Sequence, residues 1–288
     1  MKSRRKLGRY GANIALAVAA IVIILAVWNA VIWIFGLKPY VLPSPQSAAS
    51  NVIHNWSTLA PLTFQTVRET AEGFFLGAAV GFILAVIMSA FRPVQRLVYP
   101  ALITSQAVPI VAVAAPLVIL FGFGMLPKLI IIAWIVFFPV VVNVLDGLAH
   151  IDKDLVNLSH VMGASRSREF VHIRLPATLS PLFSGLKIGA TYAVTGAVIG
   201  EWTASAQQGL GTYLLTANSS LNAPAVFGVT LLLTVIGVVS FLLVMAVENV
   251  ATPWRTRPTA RRRRARLMSP EQVGEAEPRD AMEPVSPG

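Results

Sequence analysis

The chain has 288 residues, of which 55% are hydrophobic and only 12% are charged, and its mean hydropathy is +0.69. Soluble domains carry about 25% charged residues, so this composition excludes an ordinary soluble protein and predicts a polytopic membrane protein. The absence of cysteine excludes disulfides and thiolate chemistry, and the four histidines lack metal-binding spacing such as H-E-x-x-H.

Six apolar stretches are long enough to cross a bilayer, which takes about 20 residues. They are Ala12–Phe35, Thr70–Phe91, Tyr99–Gly122, Pro127–Leu148, Leu179–Thr203 and Ala225–Val250. The first is far longer than the apolar region of a signal peptide, so we expect it to be retained. The sequence therefore predicts an all-α membrane domain of six transmembrane helices over residues 12–253, between a basic N-terminus (1–11) and a tail (254–288).

Basic residues are unevenly distributed between the two sets of loops. They concentrate before the first span and after the second, fourth and sixth spans, whereas the opposite loops are expected to hold Lys38, Arg68 and Lys128 alone. Because basic residues favour the cytoplasmic side, both termini and the loop 151–176 are expected in the cytoplasm. The net charge of +10 fits contact with anionic lipid headgroups better than nucleic acid. Residues 269–288, rich in proline and acid, are expected to be disordered.

The second and third spans carry patterns of small and helix-breaking residues. Glycines that allow close helix–helix approach recur at Gly73, Gly77 and Gly81. Prolines that kink a helix interrupt the third span at Pro100, Pro109 and Pro116. Broken backbone at membrane depth is tolerated inside protein or beside a cavity, so Ser105, Gln106 and Pro109 are candidates for a translocation path. A plain packing kink explains the same prolines equally well.

The fifth span contains two ionisable residues, Lys187 and Glu201. They are about 21 Å apart along a helix, too far to pair, and Lys187 is near enough to the cytoplasmic end to extend out of the membrane. Glu201 and its neighbour Trp202 lie near the external end. Two interpretations stay open for them: solvation at the headgroup level, or an external gate that contacts the transported solute.

The loop 151–176 is unusually long and patterned for a connection between two membrane helices. Leu155, Leu158 and Met162 form one stripe of a short helix that Asp152 or Asp154 can cap. Gly163 is expected to end that helix in the left-handed conformation. Ser165 can then cap a second short helix, and Pro176 suits the first turn of the next membrane helix. An amphipathic loop lying on the membrane surface is the alternative.

Within this loop, the spacing of Gly163, Ile173, Leu175 and Pro176 resembles the G-x9-I-x-L-P signature of the EAA loop of ABC importer permeases. The Glu-Ala-Ala of that family falls on Asn157-Leu158-Ser159, so a salt bridge from the first position is not expected here. Further segments resemble the nitrate, sulfonate, taurine and thiamine-precursor branch of the binding-protein-dependent type I importers. They are LPSP (42–45), TVRETAEGFFLG (66–77), SQAVPIVAVAAPL (105–117), FGFG (121–124) and GAVIGEW (196–202).

The resemblance implies that the loop couples the permease to an ATPase. The coupling residues that it implies are Asn157, Ser159, Gly163, Ala164, Ile173, Leu175 and Pro176. It also implies a permease homodimer with two ABC ATPase subunits and an extracytoplasmic solute-binding protein. The segment Gly209–Gly211 resembles the short extracellular re-entrant segment of the family.

This chain itself shows no phosphate-binding G-x-x-x-x-G-K-[ST] motif and no catalytic constellation, so we expect a transport subunit without a cofactor, with ATP bound by the partner. The alternatives are an ion-coupled secondary transporter, a membrane-embedded enzyme or a scaffold. A secondary transporter is expected to show paired broken helices, and one proline-broken span is found. The expected solute is a thiamine-precursor-like pyrimidine, otherwise a sulfonate, taurine or nitrate.

Overall fold

The computed structural model describes residues 2–204 and 208–253. The tail segment 269–288, which the sequence predicts to be disordered, and the basic run before it lie outside the described residues. Within the described ranges the chain is almost entirely helical, and no strand occurs in them. The sequence prediction of an all-α membrane protein is confirmed.

The described helices follow one another with short connections. The first six are α1 (Lys2–Phe35), α2 (Pro45–His54), α3 (Trp56–Ala90), α4 (Arg92–Ser105), α5 (Ile110–Phe121) and α6 (Met125–Ala149). The others are α7 (Lys153–Val161), α8 (Arg166–Glu169), a π-helical turn (Phe170–Arg174), α9 (Leu175–Ala204), α10 (Leu210–Ser219) and α11 (Ala223–Ala251).

Four described helices are long and apolar enough to span a membrane, namely α3, α6, α11 and the continuous helix Ser167–Ala204. The pair α4 and α5 meets the same test jointly, but its two helices are bent by 101°. In α1, the segment Ala19–Phe35 is a shorter apolar helix. The described chain thus has four spans, or five if the bent pair is one span, and the predicted number of six is not confirmed.

The predicted third span, Tyr99–Gly122, is wrong as a single helix. Its first helix begins at Arg92 and ends at Ser105, and its second begins after Pro109. Proline has no N–H to donate and disfavours helical backbone in the residue before it, which explains the break at this position. By contrast, Pro100 and Pro116 are accommodated inside helices.

The core of the described bundle is made by α3, α6 and α9, with α6 between the other two. On the side of α3, a Cβ added at Gly77 would lie 2.6 Å from the carbonyl oxygen of Ala133. On the side of α9, a Cβ at Gly185 would lie 2.7 Å from the carbonyl oxygen of Pro139. Both helices therefore touch the backbone of α6, an approach that a side chain at either glycine would prevent.

We expect Gly77→Ala to destabilise the bundle by about 1–3 kcal/mol, because the new methyl group would overlap the backbone of α6. The measurement is the apparent melting temperature of the protein in detergent. Gly237→Ala is the matched control, since a Cβ at this helical glycine meets its nearest atom, in Val194, at an ordinary 4.0 Å. Equal melting temperatures for the two variants would contradict the close packing described here.

Candidate functional site

The first helix of the loop 151–176 has the boundaries that the sequence predicts. The Asp152 side chain caps α7 by accepting a hydrogen bond from the backbone two residues later at 2.9 Å. Gly163 follows the helix with φ +79°, in the left-handed region. Its N–H donates to the carbonyl of His160, and the N–H of Ala164 donates to that of Ser159, each at 2.9 Å. This pair of bonds is a Schellman motif, which closes a helix at a left-handed glycine.

The second half of the loop differs from the prediction. The Ser165 side chain lies 3.4 Å from the N–H of Arg168, which makes it a weak cap for α8. Helix α8 then continues through the π turn directly into α9. Pro176 lies in the first turn of α9, as the sequence predicts, although α9 is continuous with the turn before it. Proline has no N–H and cannot make the backbone hydrogen bond that its position in a helix would normally provide. The wider π turn before Pro176 lets the helix continue without that hydrogen bond.

A buried carboxylate ties the two halves of the loop together. The side chain of Glu169 is 4% exposed and accepts from Nε2 of His160 at 2.7 Å and from Nε of Arg174 at 2.6 Å. His160 belongs to α7 and Arg174 to the π turn, so Glu169 joins both sides of Gly163. The sequence did not reveal this role, because Glu169 is nine residues from one partner and five from the other, spacings that fit no single helix face.

The stripe predicted on α7 forms an exposed apolar surface. We call this surface the α7 ridge, and its members are Leu155, Leu158, Val161 and Met162. Val161 and Met162 are 85% and 78% exposed, far more than is usual for large apolar side chains in a polar connection. The motif residues are arranged around it: Asn157 and Pro176 are exposed, whereas Ser159, Ala164, Ile173 and Leu175 are half-buried.

A cavity of about 610 Å³ opens at the break between α4 and α5. Two of the predicted path residues, Gln106 and Pro109, line it. Ser105 does not line it, and its hydroxyl donates to the carbonyl of Leu102 at 2.7 Å. The remaining lining residues come from the break itself, from α6 and from α9. They are Val108, Ile110, Trp134, Ile135, Phe138, Pro139, Val142, Asn143, Ile188 and Tyr192.

Glu201 lies outside this cavity, in a buried polar cluster at the end of α9. Its side chain is 1% exposed, which contradicts solvation at the headgroup level. Oε1 accepts from the hydroxyl of Thr66 at 2.6 Å, and Oε2 accepts from the N–H groups of Gly211 at 2.6 Å and Thr212 at 3.3 Å. The hydroxyl of Thr66 in turn accepts from the N–H of Leu210 at 2.9 Å.

These bonds cap α10 with side chains from two other helices. The first four N–H groups of an α-helix have no partner within the helix, and they carry partial positive charge. Here a carboxylate from α9 and a hydroxyl from α3 satisfy three of them, those of Leu210, Gly211 and Thr212. Gly209, just before α10, is in contact with the carboxylate, and a Cβ there would collide with it. Trp202 adds a further bond, from its ring N–H to the carbonyl of Gly211 at 2.8 Å.

A second buried carboxylate lies one helical turn from Thr66. Glu69 is fully buried and pairs with Lys128 of α6 at 2.6 Å, and the side chain of Gln65 also donates to it at 2.8 Å. Arg68 and Lys128 were expected in loops, and this is wrong, since both lie in helices. Helix α3 begins well before the predicted Thr70, and Arg68 lies on its exposed side with Glu72 as its partner. Helix α6 begins before Lys128, and ion pairing with Glu69 inside the bundle lets Lys128 join an apolar helix.

The fold and the exposed loop define a multi-pass membrane protein of the importer-permease type, and comparisons with known proteins agree. Residues 77–254 match the family described as binding-protein-dependent transport system inner membrane component. The chain belongs to this family, and the predicted type I ABC importer permease is confirmed.

Among its relatives is the formylaminopyrimidine transport permease protein ThiX of Halalkalibacterium halodurans, 31% identical over 81% of this chain and 92% of the relative. The riboflavin transport system permease protein RibX of Chloroflexus aurantiacus is 28% identical over 81% and 88%. The putative aliphatic sulfonates transport permease protein SsuC of Bacillus subtilis is 26% identical over 88% and 92%.

A solved structure of the MetNI methionine ABC transporter in an inward-facing conformation contains a chain with the same fold. The TM-score is 0.60 at 18% identity, and the match covers 67% of this chain and 96% of that chain. This likeness supports the fold class.

We expect Glu201→Ala to release α10, because the N–H groups of Gly211 and Thr212 would lose a charged acceptor worth about 1.5–3 kcal/mol per bond. Amide hydrogen exchange across α10 should rise, and Glu201→Gln, which keeps one acceptor oxygen, should have an intermediate effect. Glu72→Ala is the control, since its ion pair with Arg68 is exposed to solvent and contributes little to stability.

Unchanged exchange in Glu201→Ala would contradict the capping role. Loss of uptake in Glu201→Gln, with α10 still protected, would instead support the external gate predicted from the sequence.

Proposed function

We propose that this chain is the permease subunit of an ATP-driven ABC importer for a small organic solute. Two copies would form the membrane pore, two ABC ATPase subunits would bind ATP, and an extracytoplasmic binding protein would deliver the solute. Family membership supports an importer with these subunits over an ion-coupled secondary transporter. The chain is then a transport subunit without a cofactor of its own, and lipids surround its exposed apolar helices.

The α7 ridge is the observation that carries this proposal. Leu155, Leu158 and Met162 are exposed on a short helix that Glu169 fixes to the rest of the loop. Exposed apolar side chains on a helix that is fixed in position are typical of a protein–protein contact. In the proposed importer this ridge fits into a groove of the ATPase, so closure of the ATPase moves the loop and, through the π turn, α9.

The distribution of basic residues supports the orientation of the complex. Both termini and the loop 151–176 would face the cytoplasm, where the ATPase lies. The connection around α10 would then face the outside, together with Glu201 and Trp202. The residues Gly209–Gly211 begin α10, which corresponds to the re-entrant segment that the resemblance implied.

The solute is proposed to be a thiamine-precursor-like pyrimidine, with a sulfonate, taurine or nitrate as the alternative. The relative ThiX, named for formylaminopyrimidine transport, supports the pyrimidine. The relative SsuC, named for aliphatic sulfonates, keeps the alternative open. Uptake of both solute classes by cells that express the chain with its ATPase and binding protein would distinguish them.

We expect Gly163→Val to reduce uptake strongly while membrane insertion stays normal. Nothing lies within 4 Å of a Cβ added at Gly163, so the substitution acts through the backbone, where left-handed conformation costs about 1–2 kcal/mol. Gly163→Asn is the matched control, since asparagine tolerates this conformation and should retain more uptake. Normal uptake in Gly163→Val would contradict the coupling role of the loop.

We expect Leu158→Asp to reduce co-purification of the cognate ATPase about tenfold or more, as loss of a buried apolar anchor does in other interfaces. Asp154→Asn is the control, because Asp154 is exposed on the same helix outside the α7 ridge. Equal recovery of the ATPase with both variants would show that the α7 ridge is not the docking surface.

A further inference from the structure

The cavity at the α4–α5 break has the size and position of a ligand site. Ligand pockets typically measure about 300–1,000 Å³, and this one measures about 610 Å³. It is bounded by the break on one side and by α6 and α9 on the other. Both of these helices belong to the packed core, so one wall of the cavity is rigid.

The lining is uncharged. None of the described residues that line the cavity is an aspartate, glutamate, lysine or arginine. Lys128, the buried cation of the bundle, is already paired with Glu69 and lies outside the cavity. An anion that binds there finds no counter-charge among these side chains to offset the hydration that it gives up.

The lining also offers flat apolar faces and a few hydrogen-bonding groups. Trp134 of α6 and Tyr192 of α9 contribute aromatic rings, and Gln106 and Asn143 contribute amides. Nδ2 of Asn143 donates to the carbonyl of Pro139 at 2.8 Å, an arrangement that leaves its Oδ1 as an acceptor for a ligand. Aromatic rings favour stacking with a second ring, and amides suit the mixed donors and acceptors of a nitrogen heterocycle.

The start of α5 lies on the same side of the cavity. Pro109 precedes this helix and provides no side-chain cap, and Ile110 at its first position lines the cavity. The N-terminus of a helix carries about half a positive charge. This partial charge attracts a ring nitrogen or carbonyl of a ligand, and it is smaller than the full charge that a lysine or arginine would offer an anion.

We propose that this cavity is a transit site which accepts an uncharged, planar nitrogen heterocycle and discriminates against an anion of similar size. The proposal rests on the proposed importer function and deepens it, because it gives the permease a selectivity of its own. Trp134 and Tyr192 hold the ring, and Gln106 and Asn143 bond its edge.

The test is binding of two probes to the full-length chain in lipid nanodiscs, measured by ligand-observed NMR. The probes are 4-amino-2-methylpyrimidine, at a pH where it is neutral, and ethanesulfonate. We expect the pyrimidine alone to bind, and Trp134→Ala to weaken it about three- to tenfold, the range expected for one lost aromatic contact. Trp33→Ala is the control, since Trp33 is 86% exposed on α1 and does not line the cavity.

A second variant keeps the test decisive if Trp134→Ala misfolds. Gln106 is exposed at the break, so Gln106→Lys adds a cation to the cavity without disturbing the core. We expect this variant to bind ethanesulfonate and to bind the pyrimidine less tightly. Equal binding of both probes by the unmodified chain, or unchanged selectivity in Gln106→Lys, would overturn the proposal.

Binding to the permease alone needs neither ATPase nor binding protein, so the two proposals fail separately. A chain that binds the pyrimidine selectively and does not couple to an ATPase contradicts the proposed function, while the cavity assignment stands. A chain that imports solute and shows no selectivity between the probes contradicts the cavity assignment alone.

Discussion

Helix α6 is in backbone contact with α3 on one side and α9 on the other, through the glycines of those two helices. Association of helices in a bilayer depends on such close packing, since lipid tails are as apolar as the helix surfaces. The same packing brings Glu69, Lys128 and Glu201 into one buried region, from three different helices. It also fixes the wall of the cavity that Trp134 and Tyr192 line. The polar cluster and the cavity both depend on this close helix packing.

Charge inside this bundle is stabilised in two different ways. Glu69 has a cation, Lys128, within 2.6 Å. For Glu201 the described contacts are a hydroxyl and the backbone N–H groups at the start of α10. A helix N-terminus can stabilise an anion because its N–H groups and its dipole both point at the charge. Helix α10 is a short helix between two long ones, and residues of α3 and α9 hold it at its first turn.

The sequence predicted much of this arrangement, and the failures have physical causes. Apolar length located α6 and α9 well, and the pattern around Gly163 predicted where α7 begins and ends, because both signals are local. The bend of 101° at Pro109 was predicted only as a kink, since a proline breaks a helix without setting the angle. The pair of Glu69 and Lys128 was missed because its partners are 59 residues apart, and hydropathy places isolated charges outside a membrane helix.

The polar cluster around Glu201 could also be predicted only in part from the sequence. Glu201 and Trp202 were singled out from the sequence because ionisable and aromatic residues near the end of a span are often functional. Their bonding partners, Thr66 and the backbone of α10, could not be predicted, since backbone N–H groups have no sequence signature. In the structure the two residues hold α10, and neither lines the cavity.

One continuous helix connects all of these features. The helix Ser167–Ala204 begins in the loop that carries the α7 ridge, and Tyr192 and Glu201 lie further along it. At about 1.5 Å per residue it is a rod long enough to cross the whole bilayer. Glu169 joins its first turn to α7. The loop, one wall of the cavity and the cap of α10 are therefore all attached to a single helix, whereas a break in the helix would have separated them.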